Sequence, residues 1–189
     1  MILRNLSLIS FVGLPGSGKS TVGRYLARRL NTPFFDSDLE IERQIGCSIR
    51  DYFERSGEES FRDVEASVVR ELTLLPAGII STGGGIVGRA ENREVLRTNS
   101  HVIYLHSTPD EVFRRLRHDQ SRPLLQVADP MGRLRDMYAV RDPLYREVAH
   151  LVIETGRPSV SSLVNTIISK IHPFNLGTPA ADTGRPPCE

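Results

Sequence analysis

The segment from Gly13 to Ser20 combines the backbone freedom and the side chains that are needed to hold a row of phosphates. It reads Gly-Leu-Pro-Gly-Ser-Gly-Lys-Ser and follows the apolar stretch 6–12. Its glycines can take positive φ and bring successive N–H groups against an anion. Lys19, one of two lysines among 24 basic residues, can reach a terminal phosphate, and Ser20 can bind Mg²⁺ between two phosphates. The spacing therefore predicts a site for a nucleoside triphosphate with magnesium.

This segment, the phosphate loop, matches the P-loop pattern G-x-x-x-x-G-K-[ST], with a strand expected before it and a helix after it. The helix beginning near Lys19 would add the positive end of its dipole to the loop. The alternative is a Gly- and Ser-rich turn that binds nothing. Because every fixed position of the pattern is filled, we favour phosphate binding.

Two acids end the next apolar stretch, which reads Phe34-Phe35-Asp36-Ser37-Asp38. If the extended geometry continues, the side chains of Asp36 and Asp38 point to opposite sides. One could then face the metal and the other the group that accepts the phosphate. The alternative is a strand end whose aspartates cap the following helix.

Two further segments carry candidate binding groups. Arg62 and Glu65 lie three residues apart in a helical pattern, so they can pair, although a solvated helix face has the same spacing. The triplet Gly83-Gly84-Gly85 ends a strand and would let a ligand approach the backbone. A flexible loop is the alternative for this triplet.

Two arginines lie further along the chain in segments of special character. Arg122 lies in a polar, proline-containing stretch, where a mobile lid of about residues 116–128 could carry it onto the γ-phosphate. Arg141 precedes Asp142-Pro143, and this spacing predicts a helix break at that point.

The elements that must position these groups follow an alternating pattern of apolar runs and helical periods. The runs are Leu6–Val12, Pro33–Phe35, Gly78–Ser81, Val102–Leu105 and Leu151–Glu154. Alternation of this kind predicts an α/β fold with three α/β/α layers around a five-stranded parallel sheet, with the ligand at the carboxyl ends of the strands. Thr108-Pro109-Asp110-Glu111 predicts a capped helix start, and residues 160–171 carry an apolar helical stripe.

Length and composition exclude several classes of protein. The 189 residues fit one domain, which we place at residues 1–172, followed by a disordered tail at 173–189. A net charge of +1 argues against a nucleic-acid partner. Cys47 and Cys188 have no metal or redox spacing, and no stretch suits a signal peptide or a membrane span. We expect a cytoplasmic protein with no membrane partner, and a monomer by default.

Taken together, these motifs resemble the shikimate kinases, which have the nucleoside-monophosphate-kinase-like P-loop kinase fold. The resemblance covers roughly residues 6–172 and rests on the motifs around Lys19, Asp38, Arg62, Gly83–Gly85 and Arg122. It implies transfer of the γ-phosphate of ATP to the 3-hydroxyl of shikimate, in the biosynthesis of aromatic amino acids.

The resemblance also implies a role for each candidate residue. Asp38 holds the shikimate hydroxyls, Arg62 and Arg141 grip its carboxylate, Glu65 orients Arg62, and Gly83, Gly84 and Gly85 line the same pocket. Asp36 supports Mg²⁺ through water, together with Ser20, and Lys19, Asp38 and Arg122 are the catalytic groups. The implied nucleotide-binding residues are Gly16, Ser17, Gly18, Lys19, Ser20, Thr21, Arg115, Arg122 and Arg157.

We expect Asp38 to orient the acceptor hydroxyl more than to take its proton, because an unperturbed aspartate has a pKa of about 3.9. Two other functions are compatible with the phosphate loop. One is a kinase for another small metabolite, such as gluconate, and Arg62, Arg141 and the triple glycine count against it. The other is a non-catalytic sensor of nucleotide or shikimate, which would not need to keep Asp36, Asp38 and Arg122.

Overall fold

The computed structural model describes residues 8–117, 127–156 and 158–171 of the chain. Within them, five parallel strands form one sheet in the order β2-β3-β1-β4-β5, which confirms the predicted fold class. The strands are β1 (Ile9–Val12), β2 (Phe34–Asp36), β3 (Ile79–Ser81), β4 (His101–His106) and β5 (Leu151–Glu154). The prediction of β5 had the observed bounds, and the other strands differ from their predictions by a residue or a few at their ends.

Helices cover both faces of this sheet. They are α1 (Lys19–Leu30), α2 (Ser37–Ile45), α3 (Ile49–Leu72), α4 (Ala90–Asn99), α5 (Pro109–Leu116), α6 (Pro130–Val148) and α7 (Val160–Ile171), with a 3₁₀ turn at Ile86–Gly88. The predicted capping box is present at the start of α5, where Thr108 accepts from the Glu111 N–H and Glu111 accepts from the Thr108 N–H. Among the described residues, no helix is both long and apolar enough to span a membrane.

The alternation of side chains along each strand divides the core between the two faces. In β4, Ile103 and Leu105 pack against α1 and α7, whereas Val102 and Tyr104 face the layer that contains α4 and α6. Both faces are therefore buried, and the ligand-binding groups can lie only at the ends of the strands. At the carboxyl ends, Asp36 of β2 is the register partner of Ser81 in β3.

The predicted helix break at Pro143 is wrong. Helix α6 runs without interruption from Pro130 to Val148, with Pro143 inside it. A proline in this position leaves one backbone carbonyl without its helical partner. Tertiary contacts on either side hold the helix: Tyr104 of β4 donates to Asp142 at 2.8 Å, and the hydroxyl of Tyr145 donates to Gly84 at 2.5 Å.

Candidate active site

The phosphate loop forms the turn between β1 and α1, as the sequence predicted. Gly18 is the N-cap of α1 and has left-handed dihedral angles (φ 97°, ψ 11°), which a side chain would strain. Lys19 folds back over the loop, where its Nζ donates to the carbonyls of Gly13 and Leu14 at 2.9 Å each. The loop thus holds its ammonium beside the helix N-terminus, where an anion is stabilised.

The hydroxyl of Ser17 gives a further indication that this loop is built for a ligand. Ser17 is 2% exposed, and its Oγ has no hydrogen-bond partner within the described part of the chain. A buried hydroxyl without a partner costs free energy, so such groups usually serve a ligand or water. A phosphate oxygen in the loop is the kind of acceptor that this hydroxyl lacks.

Ser20 and Asp36 meet at the corner between α1 and β2. The Ser20 hydroxyl donates to Asp36 Oδ2 at 2.8 Å and lies 3.0 Å from the hydroxyl of Ser81. A hydroxyl and a carboxylate are oxygen donors of the kind that Mg²⁺ prefers, and the ion commonly takes its other ligands from water and nucleotide phosphates. The residues present therefore fit the predicted magnesium site.

The placement of Asp38 differs from the strand geometry considered in the sequence. The extended backbone ends at Asp36, which is the N-cap of α2 and accepts a hydrogen bond from the Asp38 N–H at 3.2 Å. Asp38 lies in the first turn of α2. Asp36 therefore caps the helix and contacts Ser20, and the helical turn redirects Asp38 toward the triple glycine.

The carboxylate of Asp38 is not an ordinary surface aspartate. The residue as a whole is solvent-exposed, but a Cβ on Gly83 would lie only 2.7 Å from its Oδ1. Desolvation by the surrounding protein raises the pKa of Asp38 from 3.8 to about 6, and Asp36, Glu65 and Glu42 add to this rise while Lys19 opposes it. This rise makes Asp38 a better proton acceptor near neutral pH than an unperturbed aspartate, and its balance between orienting the hydroxyl and accepting the proton stays a prediction.

Arg62 and Glu65 form the ion pair that their spacing allowed. Arg62 Nη1 donates to Glu65 Oε2 at 2.8 Å, and Nη2 donates to Glu58 at 3.1 Å. Glu65 is only 2% exposed and Arg62 is partly buried, so this pair is not a solvated helix face. Burial alone would lower the pKa of Arg62, but the hydrogen bond and charge of Glu65 raise it above its usual value. Its guanidinium remains positive and fixed in orientation.

Charged side chains from α2 and α3 converge on Gly83–Gly85, which we call the glycine loop. A Cβ on Gly83 would lie 2.7 Å from Asp38 Oδ1 and 3.3 Å from Glu65 Oε1, and one on Gly85 would lie 2.5 Å from Arg62 Nη1. The expectation was that these glycines admit a ligand to the backbone. The structure shows that they also make room for the protein's own charged side chains.

Arg141 of α6 also contacts the glycine loop. Its Nη1 donates to the carbonyl oxygen of Gly84 at 3.1 Å. Burial raises the pKa of Glu65, and the charges of Arg62 and Arg141 lower it by a smaller amount. Two guanidinium groups from α3 and α6 are therefore near one buried carboxylate. Two converging arginines can bind a substrate carboxylate.

Sequence reasoning missed several residues that hold this loop. The hydroxyl of Ser37 accepts from the Gly83 N–H at 3.0 Å, and the buried Tyr145 donates to the Gly84 carbonyl. Phe61 packs beneath Arg62, whose guanidinium carbon lies 5.3 Å from the ring centroid. The one sequence signal for Tyr145 was its position four residues after Arg141, which places both residues on the same face of a helix.

The structure describes only some of the other residues that were predicted to bind nucleotide. Arg115 donates to Ser107 Oγ at 3.0 Å and to the carbonyl of Thr155, and its Nη1 is 3.5 Å from the Ser17 carbonyl. It therefore borders the phosphate loop, and its contact with adenine stays a prediction. Thr21 is exposed on the first turn of α1. Arg122, Arg157, most of the predicted lid and the predicted tail lie outside the described residues.

Comparison with known proteins gives consistent relatives. The family model for shikimate kinase matches residues 15–172. A shikimate kinase of Cupriavidus pinatubonensis is 52% identical over 173 residues, which are 90% of this chain and 90% of that one. One of Ralstonia nicotianae is 50% identical over 177 residues, or 94% of this chain and 93% of that one. Shikimate kinase from Acinetobacter baumannii, solved in complex with shikimate, superposes with a TM-score of 0.87 at 44% identity, over 92% of this chain and 97% of the other.

Proposed function

The chain belongs to the shikimate kinase family, and we propose that its phosphate loop and glycine loop form the active site in which ATP phosphorylates the 3-hydroxyl of shikimate. The protein is thus an ATP-dependent kinase of the shikimate pathway. The observation that carries the site assignment is the convergence of Asp38, Arg62 and Arg141 on Gly83–Gly85.

These acceptor-side groups suit a carboxylated ring alcohol. Arg62 and Arg141 can bind the carboxylate, because guanidinium forks pair with carboxylates through parallel hydrogen bonds. Asp38 lies on the Gly83 side of the same loop, where a hydroxyl of the ring would meet it. A gluconate kinase would share the phosphate loop without requiring this clamp.

The chemical step assigned to this chain is a proton transfer combined with electrostatic stabilisation. Asp38, with its pKa raised to about 6, accepts the proton of the attacking hydroxyl. The bond from that oxygen to the γ-phosphorus forms as the bond from the γ-phosphorus to the β–γ bridging oxygen breaks, and ADP leaves. Lys19 and the N–H groups of the phosphate loop stabilise the charge that builds on the transferring phosphoryl group. Mg²⁺, held by Ser20 and Asp36, would supply further neutralisation of the phosphate charges.

The activity test is ADP release in a coupled assay with ATP and Mg²⁺. We expect turnover with shikimate, and little with gluconate or without an acceptor. Comparable rates with gluconate would contradict the acceptor assignment. Tight shikimate binding without ADP release would instead favour the non-catalytic sensor.

Gly85→Ala should weaken shikimate binding, because its new Cβ would lie 2.5 Å from Arg62 Nη1 and must displace that guanidinium. Gly85 has φ −89°, so alanine causes no backbone strain there. We expect the KM for shikimate to rise roughly 10- to 100-fold, which corresponds to the loss of one charge-assisted contact of about 1.5–3 kcal/mol. The KM for ATP should change little.

Gly88→Ala is the matched control, since a Cβ at Gly88 would meet no atom within 4 Å. It should leave both KM values at their original levels. Equal effects of Gly85→Ala and Gly88→Ala would show that the displacement of Arg62 is not the cause.

Asp36→Asn should reduce the magnesium dependence of nucleotide binding. Asparagine can still cap α2, but it removes the negative charge beside Ser20. We expect ADP alone to bind with little change, while the additional affinity of Mg-ADP falls about tenfold. Isothermal titration with ADP, with and without Mg²⁺, measures both affinities. If Mg²⁺ increases the affinity for ADP as much in the variant as in the parent, Asp36 is not part of the metal site.

Further assignments follow from the same resemblance and stay predictions. We infer a cytoplasmic, monomeric enzyme with one domain over residues 1–172 and no nucleic-acid partner. Arg122 on a closing lid and Arg157 beside adenine belong to this proposal. Removal of residues 173–189 should leave turnover unchanged if that segment is a tail without a catalytic role.

A further inference from the structure

Tyr145 is a fully buried residue of α6 that the proposed catalytic step does not use. Its side chain is 0% exposed, and its ring lies 5.0 Å from that of Tyr104 in β4. Its hydroxyl donates to the carbonyl oxygen of Gly84 at 2.5 Å. Tyr145 therefore places a hydrogen-bond donor from the core directly beneath the glycine loop.

The same carbonyl oxygen also accepts a hydrogen bond from Arg141. Arg141 Nη1 lies 3.1 Å from the Gly84 oxygen, so both acceptor positions of this carbonyl are used. Arg141 and Tyr145 are one helical turn apart on the same face of α6. Gly84 also packs closely against the phosphate loop, since a Cβ on Gly84 would lie only 2.7 Å from Pro15 Cδ.

The two hydrogen bonds to the Gly84 carbonyl respond differently when a substrate binds. A substrate carboxylate draws the guanidinium of Arg141 toward itself, since charge-assisted bonds are stronger than those to a neutral carbonyl. The Gly84 carbonyl then loses one donor. Leaving a partly buried carbonyl such as that of Gly84 with no donor costs free energy, whereas a carbonyl that keeps a single donor avoids most of that cost.

We propose that Tyr145 is a positioning residue that keeps the Gly84 carbonyl hydrogen-bonded while Arg141 turns from that carbonyl to the carboxylate of the substrate. The inference rests on the proposed function, in which Arg141 binds that carboxylate. Burial raises the pKa of Tyr145 to about 12, although the charge of Arg141 and its hydrogen bond to the Tyr145 hydroxyl lower it, so the hydroxyl retains its proton at working pH. Tyr145 thereby lowers the cost of releasing Arg141 without touching the substrate.

The first test is Tyr145→Phe in the full chain, which removes the hydroxyl and keeps the buried ring. We expect the Kd for shikimate, measured by isothermal titration, to rise about tenfold, because releasing Arg141 now leaves the carbonyl without a donor. The Kd for ADP should stay within about twofold, since the hydrogen bond that is lost goes to the glycine loop and not to the phosphate loop, while the buried ring is kept. An unchanged Kd for shikimate would overturn the proposal.

Tyr104→Phe is the matched control. It removes the hydroxyl of the neighbouring ring, which donates to Asp142 at 2.8 Å and not to the glycine loop. We expect it to leave the Kd for shikimate unchanged. If both variants weaken binding equally, a general loosening of α6 is responsible and the specific role of Tyr145 is wrong.

A double-mutant cycle with Arg141→Ala separates release of Arg141 from simple support of the loop. Without Arg141 there is no guanidinium to release, so adding Tyr145→Phe should weaken shikimate binding no further. The same tenfold loss in both backgrounds would show that the hydroxyl supports the loop independently, and would overturn the proposal. If Arg141→Ala alone leaves the Kd unchanged, the assignment of Arg141 under the proposed function fails, and this inference fails with it.

Discussion

Asp38→Asn is expected to lower kcat by roughly 10²- to 10⁴-fold, the range that a positioned proton acceptor contributes. The asparagine side chain has nearly the same shape and can still hydrogen-bond a hydroxyl, but it cannot take the proton. The KM for ATP should change little, because Asp38 faces the glycine loop. Steady-state rates over a range of both substrates measure these values.

The pH dependence of the same variant tests the proton-transfer role. In the parent enzyme, log(kcat/KM) for shikimate should fall as pH drops below about 6, because Asp38 becomes protonated. This acidic limb should be absent in Asp38→Asn. A persistent limb near pH 6 in the variant would assign it to another group. An unchanged kcat would remove Asp38 from the catalytic site.

Thermal stability provides a control for Asp38→Asn, because the substitution is expected to raise the Tm while it lowers kcat. The folded-state pKa of Asp38 lies above its unfolded value, so its carboxylate destabilises the folded state once pH exceeds about 6, and has no such effect below about 3.8. We expect the Tm of Asp38→Asn to exceed that of the parent at pH 8. The difference should disappear near pH 4, so a lower Tm at pH 8 would indicate misfolding.

Lys19→Met is expected to lower kcat by about 10³-fold, because the methionine side chain has no charge to stabilise the transferring phosphoryl group. Lys19 is buried and held over the phosphate loop by two backbone carbonyls, so its ammonium is already oriented before nucleotide binds. Nucleotide affinity should fall about tenfold, which is a smaller effect than that on turnover. Binding of shikimate in the absence of nucleotide should be unchanged.

Lys170→Met is the control for Lys19→Met, as Lys170 is the other lysine of the chain and lies exposed on α7. It should keep the parent's kcat and Tm. A Tm for Lys19→Met close to that of the parent shows that the loop remains folded. If Lys19→Met then retained most of the parent's turnover, the charge of Lys19 would not be part of the catalytic step.

The sequence alone determined the sheet and the phosphate loop, because both depend on local patterns. Buried parallel strands require continuous apolar runs, such as the one that contains Ile9–Val12, and these can be read directly from the chain. The loop depends on glycines at fixed separations from Lys19. The spacing of Arg62 and Glu65 along one helix allowed their pairing, and the burial of Glu65 in the folded protein distinguished it from a solvated helix face.

Only the tertiary structure decided how the side chains around the glycine loop meet and how the pKa of Asp38 is shifted. The pKa of Asp38 depends on Glu65 from α3 and on desolvation by packed neighbours, which no local pattern records. The continuity of α6 through Pro143 depends on contacts with β4 and Gly84 that override the local preference for a break. The Gly84 carbonyl is shared by Arg141 and Tyr145 because α6 packs against a loop nearly 60 residues earlier in the chain, and such a contact exists only once the whole sheet has formed.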